Sequence, residues 1–287
     1  MQIFPQINYI KCTNGTEAYR MSYMAWGKQV AGCKTLICVH GLNRNCRDFD
    51  FIAQHFVKLG YYVIAPDIVG RGNSDYLVNW TGYSIPFYVN DIMSMIRTLR
   101  LENIDFIGTS MGGIIGMSIA FLPDHPIKKL ILNDIGAEVE IKGLERIGAY
   151  SNTQPEFDTF EEAAGSLLSV SKDFAIPPEL EDFYVLTSFQ KNSKGRYELK
   201  RDVNISKVAN PTLLKNKNME LWEIWKKINI DTLVVHGASS DILLPGTIDK
   251  MKEINPKTQS VTIENAGHTP YLYSENHMQF LQKFLLS

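Results

Sequence analysis

Cysteine is scarce: the four residues Cys12, Cys33, Cys38 and Cys46 all fall in the first sixth of the 287-residue chain. None forms a C-x-x-C pair and no histidine cluster accompanies them, which argues against a zinc site or any other bound metal. Cys38 lies in an apolar run and reads as core, so a reducing, cytoplasmic setting is expected. Charge of one sign is lacking too. The formal net charge is −2 with the signs interspersed, whereas nucleic acids and membranes recruit concentrated basic surfaces, so neither is expected as a partner. Long hydrophobic runs are also missing. MQIFPQINYIKC at the N-terminus has no basic segment leading into an apolar stretch, and no window reaches the roughly 18 apolar residues of a spanning helix. No internal repeat or low-complexity tract occurs.

What is present is ordinary globular material, 45% apolar and 21% charged, enough for one large core with an embellishment. EAYRMSYMAW (17–26) alternates apolar and polar positions and predicts a half-exposed strand. Six short apolar runs follow: TLICVHG (35–41), YYVIAPD (61–67), IDFIGTS (104–110), KKLILND (128–134), DTLVVHG (231–237) and SVTIEN (260–265). Such runs suit strands covered on both faces, as in a parallel sheet. Segments with helical spacing lie near 48–60, 86–101, 111–122 and 275–286. The alternation predicts an α/β fold, with ligands beyond the carboxyl ends of the strands.

The alternation breaks between about Ala137 and Asn218. Helical pieces, FDTFEEAAGSLLSVSK and ELEDFYVLTSF, are separated there by Pro177 and Pro178 and followed by polar NSKGRYELKRD. The expected division is a core of 1–136 and 219–287 with 137–218 inserted as a helical cap. The second half of the insertion is basic (Lys191, Lys194, Arg196, Lys200, Arg201, Lys207, Lys215 and Lys217) and reads as a solvated face in preference to an anion site. Phe157, Phe160, Phe174, Phe183 and Tyr184 stand at helical spacing, which favours cap core over an acyl pocket.

Chemistry concentrates at the strand ends. Gly108-Thr109-Ser110-Met111-Gly112 matches G-x-S-x-G between a predicted strand and a predicted helix. A turn that sharp strains the serine backbone and crowds both flanks, where only glycine fits. The turn lifts the hydroxyl clear of the sheet and aims the helix N-terminus at a reacting carbonyl. The Met111 N–H is then one oxyanion donor, and the Leu42 N–H, after TLICVHG, is the expected second.

A serine hydroxyl needs a base, and the base needs an orienting partner. His268, shortly after SVTIEN, is the candidate base. Asp241, after DTLVVHG, is the expected acid, because Ser, Asp, His is the chain order of this arrangement. Asp134, closing KKLILND, is a competing acid. His40 and His236 precede glycines at strand ends and read as structural.

VHGLNRNCRDF, APDIVGRGNSD, GTSMGG, HGASSDILLP and NAGHTPYL, in that order, resemble the α/β-hydrolase superfamily over almost the full chain. The resemblance implies a mostly parallel eight-stranded sheet with helices on both faces, an inserted cap, no cofactor, and a structural role for GRGNSD (70–75), including Arg71 and Asp75. It also implies acyl chemistry, since haloalkane dehalogenases and epoxide hydrolases of this fold carry aspartate at the elbow. The expected activity is hydrolysis of a small carboxylic ester, thioester or lactone through an acyl-enzyme. The alternatives are carbon–carbon bond hydrolysis or perhydrolysis at the same triad, or a ligand-binding receptor that retains it. Carbon–carbon hydrolases of this fold usually carry Gly-Pro-Gly where this chain has Leu42-Asn43-Arg44-Asn45, which lowers them. Arg44, Arg47 or the basic part of the cap would supply a cation for a substrate carboxylate in that case.

Overall fold

The computed structural model describes residues 5–207 and 217–287. Lys215 and the rest of 208–216, expected within the insertion, lie outside the described residues. In chain order the elements are β1 (Gln6–Thr13), β2 (Ala18–Trp26), β3 (Thr35–Val39), α1 (Asp50–Lys58), β4 (Tyr62–Pro66), α2 (Ile85–Thr98), β5 (Ile104–Thr109), α3 (Met111–Ala120) and β6 (Ile127–Asn133). Next come β7 (Glu138–Val139), α4 (Ile141–Ser151), α5 (Phe160–Val170), α6 (Pro178–Ser188), β8 (Phe189–Lys191), β9 (Tyr197–Leu199), β10 (Met219–Glu220) and α7 (Trp222–Trp225). The chain closes with β11 (Asp231–Gly237), α8 (Pro245–Ile254), β12 (Thr258–Ile263) and α9 (Glu275–Leu286).

Eight strands form one sheet in the order β1-β2-β4-β3-β5-β6-β11-β12. β1 and β2 pair antiparallel with each other, as do β2 and β4, and every other pairing is parallel. The apolar runs are buried from both sides because side chains alternate along a strand. In β3, Leu36 and Cys38 join a cluster with Phe49, Ile52 and Phe56 near α1 and with Leu281 and Phe284 of α9. Ile37 and Val39 face the opposite way, into a cluster with Ile92 and Met95 of α2 and Ile115 of α3. Helices therefore cover both faces, as the α/β reading requires.

The sequence pattern misses β1, α4 and α8. β1 is an edge strand whose burial alternates only in its second half, so it lacks the continuous apolar run that marks its neighbours. Polar NSKGRYELKRD contains the turn and the second arm of a β8–β9 hairpin, with Phe189 facing Leu199. All four cysteines are free, with Cys12, Cys38 and Cys46 buried. Among the described residues no helix is long and apolar enough to cross a membrane.

Candidate active site

Ser110 sits one residue past β5 with φ 49° and ψ −113°, and its side chain makes no capping bond to α3. The glycines around it allow the close approach that this turn demands. A Cβ on Gly108 would lie 2.3 Å from the Gly112 carbonyl oxygen, and one on Gly112 would lie 2.0 Å from that of Val39. Left free by its backbone, the Ser110 hydroxyl lies 2.9 Å from His268 Nε2.

His268 is almost fully buried, and its Nδ1 is 2.8 Å from Asp134 Oδ2. A carboxylate only accepts, so the Nδ1–H donates to Asp134 and the Nε2 lone pair faces the serine hydroxyl. Asp134 itself accepts from the Gly237 N–H (2.8 Å, to Oδ1) and from the Ser240 hydroxyl (2.5 Å, to Oδ2). It is 0% exposed and has a positive φ of 53°. Positive φ at non-glycine positions costs on the order of 1–3 kcal/mol each. At this site it occurs at Ser110, Asp134 and Thr269, the residue after His268.

The expected acid is thus corrected. Asp241 makes no bond to His268; its carboxylate accepts from Arg146 Nε (2.6 Å) and Nη2 (2.7 Å), on α4, and remains 39% exposed. The guanidinium of Arg146 holds that carboxyl below the usual carboxylate range. The physical reason is reach. Asp134 directly follows β6, between β5 with its serine and β11, whose last residue, Gly237, donates to it. Asp241 lies four residues beyond β11, where the chain has turned toward the inserted segment.

Leu42 lines the cavity above Ser110. Among the described residues neither the Leu42 nor the Met111 N–H donates to a protein acceptor. Arg71, fully buried, ties the two residues together. Its Nε donates to the Leu42 carbonyl (3.0 Å), its Nη1 to the Val69 carbonyl (2.8 Å) and the Tyr88 hydroxyl (2.7 Å), and its Nη2 approaches Met111 Sδ at 3.6 Å. The arginine of GRGNSD therefore braces both candidate oxyanion residues. His40 is structural as well: its Nδ1–H donates to the Gly41 carbonyl and its Nε2 accepts from the Ile68 N–H. Burial pushes it down to about 3, so it stays neutral and fixes the loop before Leu42. His236 bonds the Leu243 carbonyl.

The cavity over Ser110 measures about 90 Å³, and the segment between β6 and β11 supplies much of its wall, including Ile147, Tyr150, Leu167, Phe174, Tyr184 and Arg201. Phe174 and Tyr184 thus face the cavity, while Phe157 and Phe160 pack into a separate cluster with Ala163, Val185 and Phe189. Phe183 lies against Phe51 and under Arg47. Among the contacts that join this segment to the core, two lie beside the cavity. The Arg44 guanidinium stacks on the Tyr184 ring, 3.8 Å from its centroid, pairs with Asp48 and donates to Ser188 Oγ. On the other side, the N–H groups of Gly267 and Tyr271, flanking His268, donate to the carbonyls of Asp173 (2.7 Å) and Phe174 (2.8 Å).

An eight-stranded α/β sheet with a serine at a strained strand-to-helix turn defines a class, and the chain belongs to it: the alpha/beta hydrolase fold family matches residues 34–275. Similar proteins include a 3-hydroxybutyrate-oligomer hydrolase of Cupriavidus necator, 35% identical over 277 residues that cover 94% of both chains. Lipase 3 of a Moraxella species is 29% identical over 82% of this chain and 71% of its own. Among solved structures, a Rickettsia typhi protein superposes with a TM-score of 0.88 at 31% identity, covering 98% of this chain and 99% of its own. An alpha/beta hydrolase from Novosphingobium aromaticivorans does so at 0.85 with 28% identity, covering 98% of each chain.

Proposed function

We propose that the protein is a serine hydrolase of small carboxylic esters, with Ser110 as nucleophile, His268 as general base and Asp134 as the acid that orients it. The observation that carries this is the unbroken hydrogen-bond chain from Ser110 Oγ through His268 to buried Asp134 beneath the cavity. Ser110 Oγ attacks the ester carbonyl as its proton passes to His268 Nε2, and the carbonyl electron pair moves onto oxygen. The N–H groups of Leu42 and Met111 receive that oxyanion. Collapse expels the alcohol, which leaves with the proton from His268, and water deprotonated by the same imidazole releases the acid.

A cavity of about 90 Å³ suits a short acyl group better than a long fatty chain. The Cupriavidus necator relative, similar across 94% of both chains, is named for hydrolysis of 3-hydroxybutyrate oligomers. Short hydroxyalkanoate esters are therefore the first substrates to test, with residues 137–218 acting as the cap that sizes them. Ser110→Ala should lower turnover of p-nitrophenyl butyrate on the order of 10⁴-fold, and a fluorophosphonate probe should label Ser110 in the parent protein. Full activity in the variant would overturn the assignment.

A further inference from the structure

Three buried arginines lie at or behind the cavity, and their partners differ. Arg44 is neutralised by Asp48. Arg71 is occupied by Leu42, Val69, Tyr88 and Met111 as it braces the oxyanion loop. Arg201 is 2% exposed and lines the cavity, yet no carboxylate pairs with it among the described residues. The undescribed segments, 1–4 and 208–216, contain neither Asp nor Glu. Its Nη1 donates to the Ser151 carbonyl (2.9 Å) and its Nη2 to the Thr153 carbonyl (2.6 Å), while its Nε is buried without a partner among the described residues. Asp202, next in the chain, is engaged elsewhere, by the Tyr83 hydroxyl and by the N–H and Nδ2 of Asn204.

A guanidinium carries five N–H donors in a planar fork suited to a carboxylate, and burying its charge unpaired is costly. Desolvation, with the charge of Arg71 behind it, pushes Arg201 down to about 10, which leaves it protonated at neutral pH. The residue is also held in place by the core. The Gly72 N–H donates to the Lys200 carbonyl and the Asp202 N–H to the Gly70 carbonyl, on either side of it. Asn43 lines the same cavity, bonds Ser151 Oγ through Nδ2 and leaves its Oδ1 buried without a donor among the described residues. The patch around Ser151 thus offers one uncompensated cation and one free acceptor.

We propose that Arg201 receives a free carboxylate on the substrate, so that the site selects esters of small hydroxy acids that keep an ionised end over neutral esters of the same size. This rests on the ester-hydrolase reading above. The substrate's carboxylate supplies the negative charge that the protein withholds from Arg201, and Asn43 Oδ1 is placed to accept from a substrate hydroxyl.

The test compares the linear dimer of 3-hydroxybutyrate, which has one ester and one carboxylate, with the neutral carboxamide of the same dimer. Wild-type kcat/KM for the internal ester should favour the acid on the order of 100-fold, chiefly through KM. Arg201→Met should bring that ratio close to one and Arg201→Lys should retain part of it; the ratio is internal, so partial loss of folded protein does not move it. Equal kcat/KM for the two dimers in the wild type would overturn the proposal whether or not Arg201→Met folds. Calorimetric titration of Ser110→Ala with both dimers separates the two readings. Selective binding of the acid supports the Arg201 site even if no ester is cleaved, whereas turnover of p-nitrophenyl butyrate without any preference for the acid keeps the hydrolase and removes the carboxylate site.

Discussion

Asp134 and Asp241 stand on adjoining strands of one sheet, each just beyond a carboxyl end, yet they live in different solvents. Asp134 is sealed at 0% exposure with a backbone N–H, a serine hydroxyl and an imidazole around it. Asp241 is 39% exposed and spends its charge on Arg146 at the edge of the inserted segment. An exposed ion pair gains little net energy because water and salt screen it. A buried carboxylate with directed donors orients whatever it touches. Position after a strand therefore nominates an acid, and its donors decide its role.

That contrast breaks first at Asp134. Asp134→Asn removes the acceptor that holds His268 with its proton on Nδ1, and kcat on a short ester should fall on the order of 10³- to 10⁴-fold. If steady-state kinetics of that variant stayed near wild type, the contrast would be empty.

A third aspartate isolates burial from function. Asp91 is as buried as Asp134, but the groups that meet its carboxylate are the Tyr19 hydroxyl (2.9 and 3.1 Å) and the Cys12 thiol, and desolvation raises it from the usual carboxylate range to about 7. A raised folded value means that the native state holds the proton more tightly than the unfolded chain. The stability it contributes is present below about pH 4 and is lost as pH climbs toward 7, by roughly 2–4 kcal/mol. Urea denaturation across pH 4 to 8 should show that decline in the wild type and a flatter profile in Asp91→Asn. An identical slope in both would mean that Asp91 is paired.

The smallest effect belongs to Asp241. With a folded value below the usual range, it adds stability above about pH 4 that disappears on acidification. For a pair this exposed, Asp241→Asn should cost less than about 1 kcal/mol in thermal or urea unfolding. Ester turnover should change by less than about threefold. A loss comparable to that of Asp134→Asn would restore Asp241 to the site.

The strand–turn–helix around Ser110 was legible because glycine spacing and apolar runs record local sterics, which a sequence states directly. His268, a histidine after a late strand, was expected beside Ser110, and the structure places it there. The acid was not legible. KKLILND and DTLVVHG-ASSD both end in a carboxylate, and the choice depended on a positive φ at Asp134 and on the Gly237 N–H that meets it across the sheet, neither of which is local. A signal was nonetheless present: Ser110 and Asp134 each stand one residue past their strands, β5 and β6. The basic stretch of the insertion misled in the same way. Composition gives a solvated face, and for Lys194 that holds, at 70% side-chain exposure. Arg201, seven residues on, is folded inward by backbone pairing with the loop at Gly70 and Gly72.

The two N–H groups that flank His268 and donate to Asp173 and Phe174 give the inserted segment a second duty. At that edge it is a fixed jamb: to swing it away would break two backbone bonds and unseat the imidazole together with its serine. Under the proposed mechanism, loosening the segment near Asp173 should therefore slow ester turnover by disturbing His268 before it widens the cavity.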